Sequence, residues 1–530
     1  MKQLVKSSQN QQKVHLHYRD AFKLCIIVIL LLGVLFRVVK LDHKFYWEDE
    51  VRTSLRISGY TETEIIEQVY NQNIPVKHLD KYKFPHPETS LMDTVQALMT
   101  HPEHSPLYYL MAYNWMKVWM QWFDNPVTVI RSLSVLISFL VFPSIYWLGR
   151  ELFNSPFIAE ISVAIVAISP LHIVYAQEAR QYSLWTVAVL VSSATLLQAL
   201  RLNTTRNWGV YALSLIIGLY CHLLFGLVVL AQGVYVFILH QCRLHKTVIR
   251  YCQSLLIGLI AFIPWTWVIF NAWLKSQNNL TQWGGKTSLS RLTNQWFRNI
   301  NRAFFDADLG AANMIIIILA IYALYFLWRH APKKVGLFIV AIVGISALTL
   351  MIPDLIFGSS LSTRLRYLIP SYLGIQIAFA YLFGTQMATV RTWKQRWWRI
   401  CAIAIISGGV IGCMVSSPRA VTWSMDDNSD YYVKIGQVIN QAPRPLVISD
   451  ASPIRILTLS YRLEPKTWLQ PLTTLTSATI PDNVNHVFLF KYTKHDTSRS
   501  LVDFNSTSKL VVQGQSLYLW EQLSLPNSAR

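Results

Sequence analysis

The chain alternates between long apolar runs and short polar or basic breaks. A helix needs about 20 mostly apolar residues to cross a bilayer. Runs of this kind occupy 24–40, 127–148, 156–176, 181–200, 208–222, 223–240, 249–272, 311–328, 336–352, 367–387 and 398–416. A twelfth, 106–122, carries Asn114 and Lys117 near its middle. The pattern predicts an α-helical polytopic membrane protein with about 11–12 transmembrane helices.

Two polar stretches interrupt it. The first, 41–105, contains helical patterns at Thr61 to Tyr70 and Thr89 to Leu98 that suit amphipathic helices lying on a membrane. The second, 421–530, has strand-like runs at Pro445–Ser449, Val487–Phe490, Leu510–Val512 and Ser516–Trp520, preceded by a helical stretch at Tyr431–Gln441. The expected organisation is a polar N-terminus (1–23), a membrane module (24–416, with 41–105 as its first outer loop) and a small α/β domain (417–530). No internal repeat is visible.

Orientation follows from Lys and Arg. Basic breaks at Arg201–Arg206, Arg243–Lys246, Arg329–Lys334 and Arg391–Arg399 fall on one side if the helices alternate. The positive-inside rule puts that side in the cytoplasm. The loops 273–310 and 353–366 and the C-terminal tail then lie outside. A basic N-terminus inside gives eleven crossings and leaves 106–122 as a non-crossing or re-entrant helix. Arg37 and Lys40, rather than a small-residue cleavage site, follow the first run, so it reads as an uncleaved span.

Composition agrees. Of 530 residues, 53% are hydrophobic and 14% charged, against about 25% charged in soluble domains. Aromatics, including 19 Trp, make up 13%, as membrane interfaces favour. The net charge of +19 sits in short loops, not on a basic helix or stacking platform, which argues against nucleic-acid binding. The six cysteines lie in or beside apolar runs and form no CxxC pair, so neither a disulfide framework nor a zinc site is expected.

Four clusters carry chemistry. Just after the first run comes Phe45-Tyr46-Trp47-Glu48-Asp49-Glu50. A carboxylate there suits a general base, and three adjacent acids raise one another's affinity for protons. The second is His101-Pro102-Glu103-His104-Ser105-Pro106-Leu107-Tyr108-Tyr109. Pro106 and Ser105 suit helix initiation, while His101, Glu103 and His104 also suit a metal. The third is Gln177-Glu178-Ala179-Arg180-Gln181-Tyr182, at the outer end of a run; as a polar turn it needs no function, yet ionisable groups at membrane depth are costly and usually functional. In the fourth, Arg364 and Arg366 precede a late run on the outer side, against the charge bias. Arg forks match phosphate oxygens. An outer acid, outer arginines and a membrane body together suggest chemistry on a lipid-linked phosphate.

The ordered set Trp47-x-Asp49-Glu50, His104-x-Pro106-Leu107-Tyr108-Tyr109, Gln177-Glu178-Ala179-Arg180-x-Tyr182 and Arg366-Tyr367-Leu368-x-Pro370 resembles the bacterial branch of the GT-C glycosyltransferases. That branch includes protein O-mannosyltransferases and lipid A aminoarabinose transferases (family 39 and its relatives), with cyanobacterial-type members the nearest in pattern. The resemblance runs from about residue 24 to about 416. A second proline is common in the family where Ser105 stands, and Glu48 adds an acid to the usual pair.

The resemblance implies transfer of a sugar, with inversion, from a polyprenyl-phosphate donor to an acceptor on the extracytoplasmic face of a bacterial inner membrane. It implies Asp49 as the base, Glu50 as runner-up, and Arg180 and Arg366, with Arg364, at the donor phosphate. His104, Tyr108, Glu178 and Tyr182 are candidates for the substrate pocket; for any single aromatic, packing is the simpler role. The leaving phosphate is already a stable anion, so no metal cofactor is expected. The acceptor, whether protein, lipid or glycan, is not encoded in any motif. Competing readings are a flippase for lipid-linked sugars, a polysaccharide polymerase or ligase, and a non-catalytic scaffold. The outer acids and the absence of repeated halves disfavour the first.

Overall fold

The computed structural model describes residues 2–243, 245–275, 287–306, 310, 313–388, 393–475, 480–481, 484–491 and 508–522. Parts of the basic breaks 243–246 and 391–399 and of the loop 273–310 lie outside them. Each of the eleven apolar runs is helical over most of its described length. Among the described residues, eight helices are long and apolar enough to cross a bilayer: Asp20–Val38, Pro126–Phe153, Tyr182–Leu202, Lys246–Leu274, Asn313–His330, Lys333–Phe357, Leu365–Ala388 and Trp393–Ser416. The pair Pro156–Ala167 and Pro170–Ala176, bent by 58°, makes a ninth if it is one span. Thr205–Cys221 and Phe225–Leu239 are shorter, at 17 and 15 residues. The protein is an integral, multi-pass membrane protein.

Chain contacts divide it into two compact units. The first comprises 1–41, 103–105 and 131–418; the second comprises 42–102, 106–130 and 419–530.

In the first unit, Ile369–Ala388 is buried almost throughout and forms the centre of the bundle. Lys246–Lys275 instead turns Leu256, Ile257, Leu259, Ile260 and Ile263 outward, a face suited to lipid. The bend at Ile168–Ser169 interrupts a helix within the bundle, and such a break leaves carbonyls without intrahelical donors. Arg37 meets this need. Its guanidinium donates to Ala167 O at 2.6 Å and Val166 O at 3.4 Å, and to Gly33 O at 2.8 Å on its own helix. Gln177 closes the first helix in the same way, its Nε2 donating to Phe36 O at 2.9 Å and Val39 O at 3.1 Å. One residue of the third sequence motif therefore has a structural task.

The second unit holds a six-stranded sheet: β1 (Ile74–Pro75), β2 (Pro445–Ser449), β3 (Trp468–Pro471), β4 (His486–Lys491), β5 (Ser508–Gln513) and β6 (Tyr518–Gln522), in the order β1-β3-β2-β4-β6-β5. Strand β2 is parallel to β3 and β4, and the remaining pairs are antiparallel. Leu446, Ile448, Leu472, Val484, Val487 and Leu489 form a core beneath it, covered by Trp468 and Trp520. The segment 417–530, expected as a domain of its own, thus shares its sheet with the loop 41–105, because β1 pairs with β3 through Ile74↔Leu469 and Pro75↔Trp468. Tyr70 Oη donates to Ala451 O at 2.6 Å, and Asn71 N donates to Pro471 O at 2.7 Å.

The loop helices form where expected, Glu62–Val69 and Leu91–Met99, each opened by a capping box (Thr61 with Glu64, Ser90 with Asp93). The helix within 106–122 is Leu107–Trp119. Its 13 residues rise about 20 Å, at about 1.5 Å per residue, short of a hydrocarbon core of about 30 Å. It packs on Glu48–Ile57 and Leu91–Met99 within the second unit. Ser105 does not cap it. Its Oγ donates to Leu219 O at 3.1 Å instead.

Candidate functional site

The first unit gathers arginines and aromatic rings on the turn that follows the bent helix. Residues 177–181 are non-helical, and Arg180 N donates to Glu178 O at 2.8 Å, a tight turn that places both side chains off the helix axis. Glu178 is 1% exposed and Arg180 3%. Tyr182 opens the next helix, with its ring 4.9 Å from that of Tyr175. The guanidinium of Arg180 lies 5.8 Å from the centre of the Tyr182 ring, and that of Arg366 lies 5.7 Å from the same ring. Two buried cations therefore share one π-face neighbour, which attracts each of them. Arg366 also lies 5.6 Å from Tyr367, and Arg364 5.9 Å from it. Arg366 is buried and Arg364 exposed, so the two expected partners of a phosphate differ in setting.

The loop that presents them is shaped by Asp354, fully buried near the end of Lys333–Phe357. Its carboxylate accepts from Leu361 N at 3.1 Å, Ser362 N at 2.7 Å and Ser362 Oγ at 2.6 Å, and also from Ser359 Oγ. Gly358, at φ +74°, supplies the left-handed residue that ends that helix. On the other side of the loop stands the amphipathic helix Leu289–Arg302. Trp296 Nε1 donates to Ser362 Oγ at 2.8 Å, and Asn299 Nδ2 to Thr363 O at 2.7 Å. Its C-terminus is fixed at the bend: Ser169 Oγ and Gln376 Nε2 donate to Ala303 O at 2.7 and 2.9 Å, and Gln376 Oε1 lies 3.0 Å from His172 Nε2.

Two residues of this cluster escaped the sequence reading. Arg302 lies within electrostatic reach of Tyr175, Tyr372 and Asp306. Burial first, then Arg298, holds its guanidinium below the usual arginine range. His222 follows Thr205–Cys221, stacks on Trp185 (4.2 Å between centroids, 13° between planes), and lies 6.4 Å from Tyr182 and 6.3 Å from Tyr367. The three Arg at 291, 298 and 302, at helical spacing, were a legible sign of the first. A lone histidine ending an apolar run gave none for the second. His104 also belongs to this unit, with Nε2 3.9 Å from Glu103.

The second unit carries the acids. Glu48, Asp49 and Glu50 form the first turn of Glu48–Ile57, where the helix dipole favours negative charge. They differ in surroundings: Glu50 is wholly buried and Asp49 half-buried. Glu48 accepts from Tyr432 Oη at 3.1 Å and pairs with Arg455 Nε at 3.6 Å. Its carboxyl titrates above the usual range, chiefly through burial, with Arg455 opposing and Asp426 adding to the shift. An acid that adds to its shift is Asp426, far along the chain in the tail. The extra acid of the motif is an anchor between loop and tail. Around it Phe45 stacks on Tyr432 (5.5 Å), Arg462 lies 5.3 Å from the Phe45 ring, and Tyr46 lies 4.8 Å from Tyr461. Tyr108, also in this unit, is wholly buried with its ring edge-on to Tyr109. Among the described residues no group of three or more His, Cys, Asp or Glu is arranged to hold a metal.

A bundle with a broken helix and buried arginines, together with a mixed-sheet unit, is an architecture also found among solved membrane proteins. A family model for dolichyl-phosphate-mannose-protein mannosyltransferase matches residues 103–268, about a third of the chain. ArnT from Cupriavidus metallidurans in the apo state superposes with a TM-score of 0.52 at 11% identity, covering 96% of this chain and 100% of that one. ArnT from the same organism bound to undecaprenyl phosphate gives 0.49 at 12% identity, over 95% and 99% of the two chains. The oligosaccharyltransferase AglB from Archaeoglobus fulgidus, with an inhibitory peptide and a dolichol-phosphate, gives 0.49 at 11%, over 89% and 70%. Comparison with curated proteins returns no match.

Proposed function

We propose that the protein transfers a sugar from a polyprenyl-phosphate carrier to an acceptor hydroxyl, on the extracytoplasmic side of a bacterial inner membrane. The observation that carries this reading is the pair Arg180 and Arg366, both buried within a membrane bundle and both set against the Tyr182 ring. Guanidinium forks match the oxygens of a phosphate, and a lipid-linked phosphate reaches this depth of a membrane. The family model that matches residues 103–268 is that of dolichyl-phosphate-mannose-protein mannosyltransferase, which supports a lipid-phosphate-linked sugar as donor.

The acceptor oxygen attacks the anomeric carbon, a new glycosidic C–O bond forms, and the C–O bond to phosphate breaks with inversion. Asp49 takes the acceptor's proton, with Glu50 in support. Polyprenyl phosphate leaves as an anion, and Arg180 and Arg366 neutralise the charge that develops on it. Exposed Arg364 steers the headgroup inward.

The test uses the purified full chain, Asp49→Asn and Arg366→Met, each incubated with radiolabelled polyprenyl-phosphate hexoses and membrane extract as acceptor source. Asp49→Asn is expected to lower turnover by about 10²–10⁴ while still binding the lipid. Arg366→Met is expected to lower both turnover and lipid binding. Equal turnover by wild type and a folded Asp49→Asn removes Asp49 as the base and leaves Glu50 to be tested.

A further inference from the structure

We propose that His222 is a further residue of the donor-phosphate site, supplying from Nε2 an uncharged hydrogen bond to the phosphate that Arg180 and Arg366 neutralise. The proposal rests on the function inferred above and adds a residue outside all four sequence motifs.

The ring's tautomer follows from its contacts. His222 Nδ1 accepts from Leu224 N at 3.1 Å. A nitrogen that accepts carries no proton, so the proton of the ring resides on Nε2. The same contact requires a neutral ring, since a protonated imidazole has two donors and no acceptor. Stacking on Trp185 at 4.2 Å fixes the ring plane.

The surroundings select the ligand. The Tyr182 ring, 6.4 Å away, has both guanidiniums within 5.8 Å of its centre, and the two charges that reach His222 are Arg180 and Arg366. A second histidine proton would meet two cations there, whereas a neutral N–H meets no such opposition. A phosphate oxygen held between the arginines can accept it. The sequence places this group by a short turn: residues 222–224 join two helices, and Phe225 N donates to His222 O at 2.9 Å. Ser105 Oγ holds the preceding helical turn at Leu219 O. The ring is therefore fixed from its own stack, its own turn and the neighbouring segment.

The experiment measures binding of undecaprenyl phosphate and of undecaprenol to the purified full chain, in wild type, His222→Phe and His222→Gln. Phe keeps a ring for Trp185 and removes the donor; Gln keeps an N–H. The expected result is a loss of about tenfold or more for undecaprenyl phosphate in His222→Phe, with undecaprenol unchanged and His222→Gln within about threefold of wild type. If His222→Phe does not fold, His222→Met removes the donor in similar volume and is expected to behave alike. A folded donor-less variant that binds undecaprenyl phosphate as wild type does overturns the role of His222 alone. Wild type that binds undecaprenol as well as undecaprenyl phosphate overturns the phosphate site itself, and this proposal with it.

Discussion

Replacing Arg455 by Met strips Glu48 of its cationic partner and tests whether the tail holds the acid-bearing turn. The pair is 3.6 Å apart, with side-chain exposures of 25% and 16%. At an effective dielectric of about 20, charges at that distance attract by roughly 4–5 kcal/mol. Contact with water and the ordering of a long side chain leave about 1–2 kcal/mol. A double-mutant cycle with Glu48→Gln isolates this quantity, because each single change removes the ion pair. For a folding unit of roughly 200 residues, about 1 kcal/mol moves the melting temperature by about 2–4 °C. Arg455→Met is therefore expected to melt about 2–8 °C below wild type in detergent, and in the Glu48→Gln background to cost much less. Strictly additive shifts would refute the coupling and reduce the Tyr432–Glu48–Arg455 contacts to surface packing. Turnover measured alongside shows whether Asp49, one residue on, depends on the anchor.

Three further outcomes follow from other contacts. Glu48 titrates above its unfolded value mainly because it is buried, so its ionisation opposes folding as pH rises from the usual carboxyl range through the raised value; Glu48→Gln should gain melting temperature relative to wild type at pH 7 and lose that gain below about pH 4. A flat difference across that window contradicts the assignment. Asp354→Ala leaves the donors of Leu361, Ser362 and Ser359 without their carboxylate, and is expected to destabilise the protein by about 3–5 kcal/mol and to abolish binding of undecaprenyl phosphate, read by lipid titration. Gly33→Ala would bring a Cβ to 2.6 Å from Ala167 O, the carbonyl that Arg37 serves; a fall in folded yield on size-exclusion chromatography is expected, and wild-type yield would show that the two helices part easily.

The membrane bundle was legible because lipid imposes one rule on every span: about 20 apolar residues with internally satisfied backbone. Short-range signals were equally readable. The helical patterns at Thr61 to Tyr70 and Thr89 to Leu98 hold the helices Glu62–Val69 and Leu91–Met99, and the run Pro445–Ser449 matches β2 in full. What escaped depends on distance in the chain. Two residues, Ile74 and Pro75, are too few for an alternating pattern, so nothing local marked β1 or the joining of loop to tail. Strand β3, rich in neither β-branched residues nor alternation, was missed for a related reason. At the site, the arginines were visible because charge at the end of an apolar run is conspicuous. The Trp185–His222 stack was not, since it joins the starts and ends of different helices. Glu48 looked like one acid of three, and only its neighbours Tyr432 and Arg455, nearly 400 residues on, set it apart.

The pairing of Ile74 with Leu469 also orders events at the ribosome. Translation runs at about 5–20 residues per second, so the first loop emerges roughly 20–80 s before the strand that completes it. During that interval all later helices are made while the acid-bearing segment waits with an open sheet edge, a surface prone to wrong pairings. A nascent chain stopped between Ser416, the end of the last long apolar helix, and β3 has its spans and still lacks a finished first loop. Quality control acting on such a product would read its exposed edge rather than any fault in the membrane, and a chaperone would find its client in the earliest loop to be made.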